Sequence, residues 1–125
     1  MKYLYAIATM MICCTMLSCS KKSNPAPMAH TIKVTATGTA DYTVVLSVIK
    51  SDATTGTPLE TKPVSGGSYD YSTSLNPGDL VHLEIQTSLA NTISYSITDN
   101  GAPGTSENGR ELGSFSKLTA DYTVN

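Results

Sequence analysis

The chain predicts an all-β fold, an antiparallel β-sandwich of about seven or eight strands, preceded by a signal peptide and a disordered tether. Three observations carry this expectation. From Thr31 to Asn125 the apolar residues recur at every second position. No stretch of helical length there repeats every three or four residues. Clusters of Gly, Pro, Asn, Asp and Ser interrupt the alternation at strand-length intervals, the spacing of a sandwich.

Each element follows from its residues. Ile32, Val34 and Ala36 alternate with Lys33, Thr35 and Thr37, and Gly38-Thr39-Ala40-Asp41 turns the chain. Residues 42–49 form a second strand, with Tyr42, Val44, Leu46 and Val48 on one face and Val45 and Ile49 on the other, which suits a central position. Residues 51–58 read as a Thr- and Gly-bearing loop. Residues 59–64 read as a short strand that Pro63 confines to an edge, because proline cannot donate to a ladder. Ser65-Gly66-Gly67-Ser68 is a turn. Tyr69, Tyr71, Thr73 and Leu75 then share a face, and Asn76-Pro77-Gly78-Asp79 has Pro and Gly at the two central turn positions. Residues 80–87 return with Val81, Leu83 and Ile85 inward and His82, Glu84 and Gln86 in water. Residues 88–91 reverse the chain again, and residues 92–98 bury Ile93, Tyr95 and Ile97. Asp99-Asn100-Gly101 turns into residues 102–111, read as a long polar loop. Residues 112–124 carry Leu118, Ala120, Tyr122 and Val124 on one face, with a break near Gly113 or Ser116. Trp is absent and no paired Cys lies in this part, so the expectation is an Ig-like sandwich architecture without the antibody hallmarks.

Ahead of residues 30–125 lie two segments of another character. Lys2 and the apolar run of residues 3–17 make the charged and hydrophobic regions of an export signal, and the run is short for a membrane span. Met16-Leu17-Ser18-Cys19 closes it. Residues 20–29 are polar, contain Pro25 and Pro27, and show no periodicity, as a tether does. Extended, ten residues reach up to roughly 35 Å.

Met16-Leu17-Ser18-Cys19 resembles the lipobox of bacterial lipoprotein precursors, with Met where Leu is usual. The resemblance implies cleavage after Ser18, acylation of the Cys19 thiol with palmitate-type chains, and the domains 1–18 signal peptide, 19–29 lipidated Cys and tether, and 30–125 sandwich. Cys13 follows Ile12 and Cys14 follows Cys13, so neither has the small residue that cleavage requires. An ordinary secretory signal or a membrane-anchoring helix are the alternative readings of the leader, and both also place the domain outside the cytoplasm. Among Gram-negative lipoproteins, Ser rather than Asp after the cysteine goes with passage to the outer membrane, so Ser20 implies an outer-membrane anchor facing the periplasm. Each buried acyl methylene contributes about 0.8 kcal/mol, so two chains hold a protein stably where one is marginal.

A second resemblance covers nearly all of the chain after Thr31. The order Asn76-Pro77-Gly78-Asp79, Leu80-Val81-His82-Leu83-Glu84-Ile85, Ile97-Thr98-Asp99-Asn100-Gly101 and Gly113-Ser114-Phe115-Ser116 is similar to the small β-sandwich of MmpS-type proteins and related short lipoproteins. Those are membrane-anchored accessories of large lipid or siderophore exporters. Residues 102–111 are longer than that pattern has, and no residue carries a role across by motif.

Charge and composition exclude several classes. From His30 onward, Lys33, Lys50, Lys62, Arg110 and Lys117 stand against all ten acidic residues, a net of −5. With no basic face, nucleic acid and anionic lipid are disfavoured as partners. All three cysteines lie within the first 19 residues, so the domain has no disulfide, no cysteine nucleophile and no cysteine zinc site.

Chemical candidates are few. His30 sits at the end of the tether. His82 alternates outward beside Glu84, and a base needs a nucleophile in hydrogen-bond reach before its pKa matters. His82 and Glu84 supply two metal ligands on one face, fewer than zinc takes. Asp99, Asn100, Glu107, Asn108 and Glu111 offer the hard oxygens that Ca²⁺ takes, although the same residues are ordinary turn formers. Tyr69, Tyr71, Tyr95 and Tyr122 suit a sugar-binding platform or, given their inward spacing, the core. The expectation is a non-catalytic, membrane-anchored envelope lipoprotein with no cofactor and no metal, whose domain binds or assists another envelope protein. The alternatives are a surface module for glycans or other ligands and a small enzyme built around His82.

Overall fold

The computed structural model describes residues 25–125. The leader, Cys19 and residues 20–24 of the tether lie outside the described residues. Eight strands follow in order: β1 (His30–Gly38), β2 (Tyr42–Ile49), β3 (Thr57–Val64), β4 (Gly67–Leu75), β5 (Leu80–Thr87), β6 (Asn91–Asp99), β7 (Ala102–Leu112) and β8 (Ser116–Thr123). They form two antiparallel four-stranded sheets, ordered β4-β1-β6-β7 and β3-β2-β5-β8. The sandwich architecture stands, while these strand orders differ from those of antibody domains.

Alternation builds the core. Ile32, Val34, Ala36, Tyr69, Leu75, Ile93 and Ile97 line the inner face of one sheet. Val44, Leu46, Val48, Val81, Leu83, Ile85, Leu118 and Ala120 line the other, all at most 8% exposed. At about 25 cal/mol per Å² of apolar surface removed from water, this double layer is the main stabilising term. β2 is central, between β3 and β5, and its alternation is complete. β3 is an edge, with Pro58 and Pro63 in it.

The Asn76–Asp79 turn shows local sequence and tertiary packing acting together. The Asp79 N–H donates to the Asn76 carbonyl at 3.1 Å, and Gly78 takes φ +89°, the positive angle a type II turn requires at its third residue. The Asp79 side chain is buried and ties its own turn to residues 50–51. It accepts from Lys50 Nζ at 2.8 Å, from the Ser51 N–H at 3.0 Å and from the Asn76 N–H at 3.0 Å. Its own carbonyl accepts from the Val124 N–H at 2.9 Å. Burial alone would raise this carboxyl. Lys50 and the two amides together outweigh it and hold Asp79 below the ordinary carboxylate range.

The expectation for residues 102–111 is corrected: they form strand β7, paired along β6 with two register shifts. β7 is an edge and buries no side chain fully, so it has no apolar alternation to betray it. Its path depends on Gly104, where a Cβ would meet the Tyr122 ring at 2.6 Å and the Ile97 carbonyl oxygen at 2.8 Å. Tyr95, expected in the core, is half buried opposite Glu107, beside one of those shifts. β3 begins at Thr57, two residues earlier than its alternation announces.

Candidate functional site

Strand polarity sorts the molecule into two ends. β1 starts where the tether enters, and each following strand reverses direction. The β1–β2, β3–β4, β5–β6 and β7–β8 turns therefore gather at the far end.

The near end is fastened by polar contacts. His30 Nδ1 lies 2.5 Å from Asp99 Oδ1, and the Tyr122 hydroxyl donates to Asp99 Oδ2 at 2.9 Å. The Thr31 N–H donates to the Asn100 side chain at 2.8 Å, and the Asn100 N–H returns to the Thr31 carbonyl at 2.9 Å. Burial first, then the Asp99 carboxylate, raises the Tyr122 phenol above its usual value. His30 thus has a fixed partner at the mouth of the tether.

The far end carries exposed apolar groups. Phe115, between β7 and β8, is 89% exposed, and Leu89, between β5 and β6, is 63% exposed. Besides Met28 in the tether, they are the exposed large hydrophobics among the described residues. The two turns are neighbours, since Thr87 pairs with Ser116 and its hydroxyl reaches the carbonyls of Gly113 at 3.1 Å and Ser116 at 3.3 Å. Between them opens a groove of about 380 Å³, lined by Thr43, Gln86, Thr87, Ser88, Phe115, Ser116 and Lys117. Phe115 also holds φ +55°, a conformation that costs a side-chain-bearing residue roughly 1–2 kcal/mol. An aromatic ring is thus held in water, in an unfavourable backbone conformation, at a loop tip. Strain of this kind clusters at binding sites.

Asn91 braces the same end. Its side-chain oxygen accepts from the N–H groups of Thr39 at 2.8 Å and Ala40 at 3.1 Å, and its amide donates to the carbonyls of Ala40 at 2.9 Å and Asp41 at 3.3 Å.

The histidine and acidic candidates separate. His82 bonds to Asp121 on β8, Nδ1 to Oδ1 at 2.6 Å, rather than to Glu84. Ser47 stands directly across from His82 on β2, so Ser47, His82 and Asp121 form one row on the outer face of a sheet. The ring's bond goes to Asp121 and not to Ser47, and the row lies on an open face. Glu84 instead meets Gln86 and Lys117, which in that order hold it below the usual carboxylate range. The hard-oxygen set is dispersed: Asp99 bonds His30 and Tyr122, Asn100 bonds Thr31, Glu107 pairs with Arg110, and Asn108 accepts from Ser94. Among the described residues no three metal-ligating side chains converge. Tyr69 is buried, and its hydroxyl donates to Glu60 at 2.7 Å. Tyr71, Tyr95 and Tyr122 are half buried against the core.

Sequence reasoning missed Asp121 as the partner of His82, the Asp79 and Asn91 braces, and the tip. Phe115 and Leu89 did carry a signal, as apolar residues inside turns where alternation has stopped.

The fold and its surfaces define an eight-stranded antiparallel β-sandwich with an apolar tip opposite the point where the tether enters. No family model, curated protein or solved structure matches the chain.

Proposed function

We propose that the chain is a lipid-anchored protein of the bacterial cell envelope, held through Cys19 on the outer membrane facing the periplasm, whose non-catalytic sandwich binds another envelope protein through its tip. The observation that carries this reading is the polarity of the domain: the tether joins one end, and Leu89 and Phe115 stand exposed at the other. Residues 20–29 give the domain reach, and the acidic surface keeps it off anionic headgroups. A loop-borne aromatic beside a groove is the kind of anchor that fills a partner's pocket and dominates binding energy.

The test uses intact cells. Cys19→Ala moves the protein from the membrane fraction to the soluble fraction, and unchanged fractionation refutes the anchor. After in-cell crosslinking, a discrete partner captured by the wild type is lost with Leu89→Ser/Phe115→Ser, while fractionation stays as it was. Capture that survives the double substitution places the contact elsewhere.

One observation favours a glycan reading as second. A groove of about 240 Å³ runs over the other sheet, lined by Thr35, Thr37, Ser94, Ser96 and Ser106 with Tyr95 and the Glu107 carboxylate at its side, a hydroxyl-rich surface. Chemical-shift changes confined to these residues on titration with neutral oligosaccharides support it, and none at millimolar sugar removes it.

A further inference from the structure

The two sheets have four edge strands, β4 and β7 in one and β3 and β8 in the other. An edge offers a row of unpaired N–H and C=O groups, which templates pairing with another chain unless something blunts it. Three edges are blunted. β3 carries Pro58 and Pro63 with Glu60 and Lys62 between them. β7 carries Pro103, two register shifts and the charges Glu107, Arg110 and Glu111. β8 carries Lys117 and Asp121 and lies against β7, with the Tyr122 ring on Gly104.

β4 has one of these devices, a single charge, and no other. It contains no proline, and all nine of its residues pair with β1 without a register shift. Its one charge, Asp70, is matched by Lys33 at 2.7 Å. β3 lies beside β4 on the other sheet. Tyr69 is covered there by Glu60 and Lys62, but Tyr71 remains half buried at the rim.

We propose that β4 is a dimerisation edge: a second copy of the chain adds its own β4, antiparallel, about a two-fold axis through Tyr71, joining two four-stranded sheets into one of eight. The pattern of β4 selects a copy of itself. Residues directly opposite across a ladder must share a face, so a symmetric pair can only place a residue opposite itself and its neighbours accordingly. Centring on Asp70 sets two carboxylates face to face, which is unfavourable. Centring on Tyr71 avoids this and uses the whole strand. Asp70 then faces Ser72 of the second copy, Tyr69 faces Thr73, and the two half-buried Tyr71 rings meet on the inner face, where an aromatic pair gains most. Nine residues in this register make about eight main-chain hydrogen bonds, within the range of about ten found at stable interfaces. Such an isologous contact closes at two copies and leaves the blunted edges outermost.

Ser72 is exposed and stands across from Lys33 of its own sheet, so a charge placed there also acts within the monomer, and the dimer constant of each variant is read beside the urea stability of its monomer. The protein as expressed in cells, extracted in mild detergent, is followed by sedimentation velocity from about 1 to about 100 µM, a span suited to an interface of modest size. The wild type shows a monomer–dimer equilibrium. Ser72→Lys places Lys opposite Asp70 of the other copy twice and tightens the dimer roughly 2- to 30-fold; Ser72→Asp places like charges there and weakens it by a similar factor. Far-UV circular dichroism confirms that both variants fold. A monomer throughout, or a dimer indifferent to both substitutions, overturns the β4 interface. A dimer weakened by Ser72→Lys as well overturns the axis through Tyr71, since only a pairing centred on residue 72 sets two lysines together.

Discussion

Replacing Asp79 tests the largest polar commitment in the domain. The carboxylate accepts two backbone amides and one ammonium, at 2.8 to 3.0 Å, with its side chain 2% exposed. Asp79→Ala leaves the Ser51 and Asn76 N–H groups without acceptors, each worth about 1–3 kcal/mol when buried. Both residues lie at the surface, where water compensates in part, so the expected loss is about 2–4 kcal/mol. Lys50 is 42% exposed and recovers its hydration when Asp79 is replaced, whereas Lys50→Met leaves the buried carboxylate with its two amides but without its ammonium and costs about 1–2 kcal/mol, less than Asp79→Ala. Asp79→Asn keeps one acceptor and falls between the two. Asp79 titrates below its ordinary value in the folded state, so its stabilisation is fully present above the unfolded pKa near 3.8 and is lost as pH falls through the folded value. Urea unfolding of the wild type, Asp79→Asn and Lys50→Met at pH 7 and at stepwise lower pH measures this. The gap between wild type and Asp79→Asn narrows below about pH 4, because a protonated Asp and an Asn are nearly isosteric and both neutral. A gap constant with pH, or a Lys50→Met cost equal to that of Asp79→Ala, refutes the reasoning.

Three further outcomes follow from the geometry. Phe115→Gly removes a side chain that is 89% exposed and relieves φ +55°, so urea unfolding shows stability unchanged or raised by up to about 1 kcal/mol, even as partner capture falls. A clear loss of stability instead assigns Phe115 a structural role. Asn91→Ala strands the Thr39 and Ala40 amides of the β1–β2 turn and costs about 2–4 kcal/mol by the same measurement. A value under about 0.5 kcal/mol shows that water replaces the brace. Burial, then the hydrogen bond and charge of Glu60, push the Tyr69 phenol far above its ordinary 10, so the native state loses stability as pH rises past 10. Absorbance at 295 nm shows a late ionisation step that accompanies unfolding, and Tyr69→Phe shrinks that step, leaving the share of Tyr42 and Tyr122, which burial also raises.

The site was less legible than the fold, for reasons visible in single residues. Val81, Leu83 and Ile85 announce themselves because a strand with one buried face must alternate. Residues 102–112 do not, because an edge strand that buries no side chain has no alternation to display. His82 beside Glu84 looked like a pair on one strand. Its actual partner, Asp121, lies 39 residues away and is brought close by the pairing of β5 with β8. The hard oxygens around residues 99–111 were close in sequence, and the extension of β7 spread them apart.

Period-two hydrophobicity and turn chemistry determined by themselves that the chain folds as a sandwich, which face of each alternating strand goes inward, and where most strands begin and stop. Those are local properties, encoded within a few residues by the pleat and by φ. Strand order, the convergence of four turns at the far end, the buried life of Asp79 and the thinly guarded edge of β4 were decided by the tertiary structure alone. Each depends on which strands become neighbours, and that follows from packing two apolar faces together rather than from any short stretch of sequence.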